Sequence, residues 1–439
     1  MCILTQRLTI NPFVEQQQVL WELSETCRLL YNHALAERKL FYESYQLSLS
    51  YSDQQNCLPA LKKKFPRYQQ VYSKVLQMTL RKLDGAFKAF FGRRKNGDTT
   101  ANLPTFRGKN YFFTLCYNQS GYKITTNAIT FSHYHPSKEP LVFTVPLDFT
   151  LKKVKQIEIF QDRYDKKFYL AIAYEQEELP YVDNGHYQVF DLGTVKHTAV
   201  NSQGKFLESI VKRPDKFWEK NFRLLQQRKS RCKKGSRRYR HLQQRLATIK
   251  RKCANQSKDW QHKQSINLLK NTQANTIIIG ALSPKKMTRT NKMFRKKIEH
   301  YSYQRSVNRG INNTGHLGLF VEFLTYKATL MGKRVIEIDE TDTTKTCSFC
   351  GHKKKVLHLS ERIFHCEVCK VILDRDRNSA VNIMKRFLSQ NALWTSYQQF
   401  LDFLEINDNL RHTANCKTKV PYYCCCSPFK NSVIGSEDS

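Results

Sequence analysis

Four cysteines constrain this chain more than any other feature. CSFC (347–350) and CEVC (366–369) are two Cys-x2-Cys pairs separated by fifteen residues. Each pair sits on a tight turn, so two thiolates face one ion, and the intervening residues return as a short hairpin to complete a tetrahedron of sulfurs. Gly351, directly after the first pair, supplies turn freedom. The spacing predicts a structural zinc ribbon held by Cys347, Cys350, Cys366 and Cys369. Four thiolates leave no open position for catalysis. The competing reading is four free or disulfide-bonded cysteines. His352, His358 and His365 lie nearby and read as surface residues. Most of the other cysteines are scattered singly, which suits a reducing compartment, and the CCC at 424–426 takes no role.

Charge narrows the partner. Of 439 residues, 73 are Lys or Arg and 37 are Asp or Glu, a net charge of +36. Such an excess favours polyanions, with nucleic acid the default partner and a membrane surface the alternative. No run of eighteen apolar residues occurs, and MCILTQRLTINPF lacks the long apolar core of a secretory signal, so neither a membrane span nor export is expected. The basic charge is densest at 212–252, with seventeen Lys or Arg against two acids. A solvated helix face is the bland reading. So many like charges repel unless a polyanion lies alongside. Phe217, Trp218 and Tyr239 in this stretch read as helix-packing residues, with base stacking as the rival.

The hydrophobic pattern divides the chain. CILTQRLTI (2–10) reads as a strand, and 13–95 turns helical. There Leu76, Leu80, Leu83, Phe87 and Phe90 line one helix face. Residues 103–182 hold short β-rich runs broken by Gly, Pro and polar turns, a small antiparallel barrel or sheet. The helical block therefore looks inserted between the first strand and the rest of its sheet. From 187 three strands in a meander are followed by strands alternating with helices (TIIIGAL, then RVIEIDE), the mark of an α/β domain with a mixed sheet. The cysteine-rich insert interrupts this domain before a last helix near Asn378.

Two acidic positions stand out. Asp191 in VFDLGTVKHTAV ends a hydrophobic strand, and Gly193 lets the backbone pass close to a neighbour; a turn-forming Asp explains it equally well. Asp376 in LDRDRNSAVNIM enters a helix with Asn378 and Asn382 four apart on one face; a helix N-cap explains that Asp as readily. Their combination with a basic stretch and a zinc ribbon tips the balance.

On these residues, together with LLYNHALAERK (29–39), LDGAFKAFF (83–91), LPTFRGK (103–109), KTCSFCGH (345–352) and DRDRNSAVNI (374–383), the chain resembles TnpB, the OrfB-type protein of insertion sequences, and its eukaryotic relatives the Fanzors. The resemblance covers roughly 3–390. It implies a multidomain α+β protein: a β-barrel wedge domain (1–12 and 102–183) with an inserted helical recognition domain (13–101), and an RNase H-like RuvC α/β domain (184–344 and 373–411) with an inserted zinc ribbon (345–372). A C-terminal tail (412–439) is expected to be disordered. It further implies a guide RNA, a double-stranded DNA target and RuvC chemistry in a monomer. Base pairing would read the sequence while the protein reads shape and a short flanking motif. Location would be cytoplasmic or nucleoid in a prokaryote and nuclear in a eukaryote.

RuvC chemistry holds two divalent ions about 4 Å apart with clustered acids. Hard carboxylate oxygens select magnesium over zinc. Asp191 and Asp376 match the family's first and last acids, and Asp374 is the lesser candidate. The family's second acid falls where this chain has Gly280, which offers no ligand. A subset of the family carries a Glu instead before a run similar to TDTTKTC (341–347), and Glu340 stands there. In an RNase H-type sheet the two strands are parallel neighbours about 4.8 Å apart, so a Glu arm spans much of the gap. Glu337, Asp339 and Asp342 read as strand-face or turn charges. The expected catalytic and magnesium-binding set is Asp191, Glu340 and Asp376, in an RNA-guided DNA endonuclease. The rival is a nuclease-inactive, RNA-guided DNA-binding repressor, motivated by Gly280. A zinc-ribbon nucleic-acid-binding protein without guide or catalysis is a third reading, which leaves the Asp motifs unexplained.

Overall fold

The computed structural model describes residues 2–145, 153–163, 165–193, 195–281, 317–357 and 361–406. The tail at 412–439 and His358 lie outside them. The chain divides into two compact units, Met1–Tyr181 with Pro214–Ser265 and Glu322–Gly332, and Val182–Arg213 with Ile266–Val321 and Lys333–Ser439. From Pro214 on, the basic stretch falls with the first unit.

In the first unit, β1 (Cys2–Ile10) shows strict alternation of exposed and half-buried side chains, the signature of a strand with one face on a core. It is followed by α1 (Val14–Tyr45), α2 (Tyr51–Asn56), α3 (Leu58–Lys64), a 3-10 turn (Pro66–Gln70) and α4 (Ser73–Lys95). The strands β2 (Leu115–Asn118), β3 (Tyr122–Ile124), β4 (Ala128–Phe131), β5 (Leu141–Thr144), β6 (Val154–Gln161) and β7 (Phe168–Gln176) come next. β1 pairs antiparallel with β7 from Cys2 opposite Gln176 to Ile10 opposite Phe168. The helices are therefore an insertion between the first strand and the sheet it completes. Among the described residues these strands form two open antiparallel sheets, β1-β7-β6-β2 and β3-β4-β5, and not one closed barrel.

Both sheets share one core with α1 and α4, which includes Leu23, Leu30, Leu76, Leu80, Leu83, Ile129, Ile157 and Leu170. Each fully buried Leu or Ile contributes about 1.5–3 kcal/mol. The α4 face read from the sequence is buried at Leu76, Leu80 and Leu83, whereas Phe87 and Phe90 are only half-buried, because the helix runs past the sheet at its basic end. The basic stretch folds as two helices, α5 (Pro214–Ser230) and α6 (Arg237–Lys270), joined through Gly235. Their apolar seam is small, Leu225 with Leu242 and Leu246. Phe217 is 77% exposed, so it is not the packing residue expected of it. Trp218 turns its indole N–H to the Gln256 side chain at 3.0 Å.

The second unit is built on a five-stranded sheet, β10-β9-β8-β11-β12. The strands are β8 (Tyr187–Leu192), β9 (Lys196–Asn201), β10 (Phe206–Ile210), β11 (Thr276–Gly280) and β12 (Arg334–Ile338). β8, β9 and β10 form an antiparallel meander, and β11 runs parallel to both β8 and β12. Flanked on both edges, β11 is buried at all five positions, which explains the unbroken apolar run TIII. α7 (Leu317–Leu330) lies on the crossover between β11 and β12. After the small hairpin β13 (Ile363–His365) and β14 (Ile372–Asp374), α8 (Arg375–Gln390) packs across β8, β9 and β11, and α9 (Trp394–Ile406) closes the described chain. α8 buries Ala380, Val381, Ile383, Met384, Phe387 and Leu388 against this sheet and α9. No helix among the described residues is long and apolar enough to cross a membrane.

Candidate active site and metal centre

Parallel strands that start together end together, so β8, β11 and β12 deliver their C-terminal ends to one edge of the sheet. Ile279 is in register with Phe190, and Gly280 with Ile338. Asp191 follows Phe190 on one side of Gly280, and Glu340 follows Ile338 by two residues on the other. The Ala281 N–H donates to the Ile338 carbonyl at 2.7 Å, extending the pairing past the strand end. A Cβ built on Gly280 would meet the Glu340 carboxylate: one oxygen in overlap, Cδ at 2.8 Å and Cβ at 3.0 Å. Glu340 therefore folds back over β11 and fills the space where a side chain at 280 would begin. Gly193 also has its reason, since a Cβ there would strike the Lys196 carbonyl in the tight turn into β9.

The third acid arrives on α8. Asp374 is the N-cap of that helix, its carboxylate accepting the backbone N–H groups of Asp376 and Arg377 at 3.0 Å each. Lys196 also donates to both Asp374 oxygens, at 3.2 and 3.3 Å. With Asp374 so engaged, Asp376 in the first turn is the helix acid whose charge acts on Asp191 (the positive end of the helix also favours a carboxylate there). Arg375 reaches Asp376 Oδ1 at 3.2 Å, and Arg362 stands 3.7 Å from Oδ2.

The electrostatics are those of crowded acids. Asp191 keeps a partly exposed surface, yet burial pushes its carboxyl up to about 7, with the Asp376 and Glu340 charges adding to the rise. A hydrogen bond from Ser379 and the Arg375 charge oppose it. Burial also raises Glu340, with Asp339 second. The acids read as turn charges are occupied elsewhere. Asp339 accepts from the Thr341 N–H and hydroxyl at 3.1 and 2.6 Å, and Asp342 pairs with Lys353 at 2.5 Å. Asp191 and Glu340 thus share one sheet edge, and the charge of Asp376 acts on Asp191 from α8. Their oxygens do not close into a cluster within 4.8 Å, as the cysteines do.

The four cysteine sulfurs lie within 4.8 Å of one another, Cys347 to Cys369 at 3.7 Å and Cys350 to Cys366 at 3.4 Å. A tetrahedron with metal–sulfur bonds of about 2.3 Å has sulfur–sulfur edges of roughly 3.8 Å, so the donor set fits zinc in number, chemistry and spacing. Both knuckles turn the same way: Gly351 has φ 73° and Lys370, at the matching position after Cys369, has φ 59°. Glycine adopts that conformation freely, while lysine does so at about 1–2 kcal/mol. His352 faces Glu367 at 3.8 Å and is no part of the sulfur cluster.

One contact set was not legible beforehand. Asn378 accepts from the Ser348 N–H at 2.9 Å and donates to the Thr346 carbonyl at 2.8 Å. Asn382 donates to the Thr343 and Thr346 carbonyls at 2.9 and 2.7 Å, and Lys385 reaches the Ser348 carbonyl at 2.6 Å. The helix that carries Asp376 therefore clamps the segment joining Glu340 to Cys347. The spacing Asn378, Asn382, Lys385 was the signal, one helix face of polar side chains, but its partner segment could be named only from the fold.

Comparison with known proteins follows this geometry. A family model described as the Cas12f1-like TNB domain matches residues 318–383, a span holding Glu340, Asp376 and all four cysteines. A second, described as a helix-turn-helix domain of the OrfB IS605 type, matches 1–46. The chain is 24% identical over 388 residues to the putative RNA-guided DNA endonuclease InsQ of Escherichia coli (strain K12), covering 86% of this chain and 90% of that protein. It is 34% identical over 152 residues to the TnpB-like protein L79 of Acanthamoeba polyphaga mimivirus, covering 34% of this chain and 26% of that one. The chain is similar to TnpB-like proteins. Among solved structures, the Cas12f1–sgRNA–target DNA complex shares the fold at a TM-score of 0.54 and 12% identity, over 87% of this chain and 98% of that one. The residues matched as a helix-turn-helix fold as the strand β1 and a single 32-residue helix, α1.

Proposed function

We propose that this protein is an RNA-guided DNA endonuclease with a RuvC-type site made of Asp191, Glu340 and Asp376. The observation that carries the reading is the Glu340 carboxylate seated over Gly280 between the ends of β8 and β12. A chain that had merely lost its second acid would leave that space to solvent or to an apolar side chain. The full-length likeness to a protein named as an RNA-guided DNA endonuclease supports guide RNA and target DNA as the ligands.

In this reading Asp191, Glu340 and Asp376 present hard oxygen donors whose mutual repulsion a divalent cation relieves, which fits magnesium. Bound magnesium would supply an activated water and stabilise the leaving oxygen of the phosphodiester. Asp191 must give up its proton to take part. Asp376 is held by the α8 N-terminus and exchanges its arginine contacts for the cation. The cysteine cluster takes zinc as a structural ion, and α8 transmits its rigidity to the Glu340 segment through Asn378 and Asn382. The basic α5–α6 pair, with Arg228, Arg245 and Lys252 around Trp218, serves phosphate contacts that position a nucleic acid without reading its sequence. The first unit's sheets and helices correspond to the wedge and recognition domains, and the second unit to the nuclease domain with its ribbon.

The test is cleavage of guide-matched duplex DNA by the full-length protein with its co-purified RNA and magnesium. Cutting by the wild type and its loss in Glu340→Ala, with guided binding kept, is the expected result. Guided binding with no cutting by the wild type would favour the repressor reading.

A further inference from the structure

The motif LPTFRGK (103–109) takes no part in the site at the sheet edge, yet the fold fixes its arginine from several sides. Arg107 lies in an irregular segment, and α1 supplies the backbone partners that a strand or helix would have given it. The Asn32 side chain accepts the Arg107 N–H at 2.8 Å and donates to its carbonyl at 2.9 Å. Arg28 donates to the same carbonyl at 2.6 Å, and Glu25 holds Arg28 in turn through both carboxylate oxygens, at 2.7 and 2.5 Å. Further on, the Phe113 N–H donates to the buried Ser24 hydroxyl at 2.6 Å. Ser24, Arg28 and Asn32 are successive turns of one helix face, so the segment is fastened along α1. Asn110, left-handed at φ 67°, turns the chain and Tyr111 comes beside Arg107. The guanidinium carbon stands 5.4 Å from the Tyr31 ring centre and 5.3 Å from that of Tyr111, within the range at which a ring attracts a cation.

We infer that Arg107 grips a phosphodiester of the bound nucleic acid, its backbone set in advance by α1 and its side chain by the two tyrosines. The inference rests on the nucleic-acid partners of the proposed function and not on its cutting chemistry. A guanidinium carries its N–H donors in a planar fork that fits phosphate oxygens in pairs. An arginine that only braced its loop would give that fork to a carboxylate or to backbone carbonyls. Among the described residues no protein acceptor takes these donors, and Arg107 is only half-buried, so the fork is open to a ligand. The surroundings carry the matching sign. Residues 103–111 hold Arg107 and Lys109 and no acid, and Lys39 stands 4.9 Å from the ring centre of the exposed Phe106. Glu25, the acid of this set, already has both oxygens on Arg28. A side chain ordered before binding loses less freedom on binding, which is what the clamp and the rings provide. Guide RNA and target DNA offer the same phosphodiester chemistry, and the test separates them.

The test compares Arg107→Met and Arg107→Lys with the wild type in the full-length chain. Met keeps an unbranched apolar stem beside the rings, and Lys keeps the charge without the fork. Filter binding across a salt series reads the affinity for two probes. One is the co-purified RNA, added back to protein stripped of it; the other is a short DNA duplex added to the protein–RNA complex. The thermal midpoint reports the fold. Arg107→Met is expected to weaken binding of one or both probes about 10-fold or more. It should also lower the slope of log affinity against log salt by about 0.7–0.9, and the probe that responds names the source of the phosphate. Arg107→Lys should keep the slope and still lose affinity. Wild-type affinity and slope for both probes in Arg107→Met would overturn the inference. Should Arg107→Met fail to fold, Arg107→Lys decides, and wild-type affinity of that variant for both probes would overturn it. The expected pattern in a protein that cuts no DNA would uphold the phosphate contact and sink the endonuclease reading instead.

Discussion

The Glu340 carboxylate lies where a side chain at Gly280 would start, with its Cδ 2.8 Å and Cβ 3.0 Å from the position of a Cβ on that glycine. Two strands that pair in parallel, Gly280 opposite Ile338, bring the ends of β11 and β12 side by side. In the proposed site, an acid beyond the end of β12 thus takes the place of one on β11.

This relationship predicts a specific double mutant. Glu340→Ala abolishes cleavage. Gly280→Ala forces Glu340 aside and lowers the cleavage rate, by about 100-fold for a displacement near 1 Å. Gly280→Glu combined with Glu340→Ala restores part of the activity, because the new carboxylate starts from the vacated space. Single-turnover rates on guide-matched DNA check all three. Undiminished cutting by Glu340→Ala would sink the relocated acid.

Asp191 ties the site to pH. Its carboxyl is pushed up to about 7 by burial, then by Asp376 and Glu340. In the unfolded chain it titrates near its ordinary value of about 3.9. Between these values the metal-free fold holds a proton that the unfolded chain has released, so stability falls as pH rises from about 4 to about 7. Denaturant melts in chelator should show that slope, flattened in Asp191→Asn. Metal competes with the same proton, so the half-saturating Mg²⁺ concentration should fall as pH rises through about 7 and then level off.

The cysteine cluster should be stabilising through α8. The purified protein is expected to carry stoichiometric zinc, lost in Cys347→Ser together with cleavage. Asn378 is fully buried, and Asn378→Ala strands the Ser348 N–H, while the Thr346 carbonyl keeps its bond from Asn382. That should cost about 1–3 kcal/mol per unsatisfied group in urea melts, while guided DNA binding is lowered only through loss of fold. Wild-type stability of Asn378→Ala would show that the clamp has no weight.

The basic helices should act through phosphate charge. Replacing Arg228, Arg245 and Lys252 with Gln lowers RNA affinity and reduces the slope of log affinity against log salt by about 0.7–0.9 per lost contact. Filter binding across a salt series measures it. An unchanged slope would remove these residues from the interface.

Some of this protein was determined by its sequence alone, because the cause was local. The Cys-x2-Cys spacing specifies a sulfur cluster wherever the two knuckles meet, and the cluster forms. The unbroken TIII run demands a strand with neighbours on both edges, and β11 has them. The helix N-cap was not fixed in this way: the sequence offered that role to Asp376, and Asp374 fills it. Tertiary structure decided the rest. Among the described residues the first unit's strands lie in two open sheets, and Phe217 points to solvent, because neither sheet order nor helix packing is written in a period of two or of 3.6. The reach of Glu340 to Gly280 depends on the register between β11 and β12, set by strands some sixty residues apart. The grip of Asn378 and Asn382 on the segment between Glu340 and Cys347 depends on where α8 crosses the sheet. Side chains from distant segments become neighbours only when the core has fixed the spacing of the elements that carry them, and that is where this site is made.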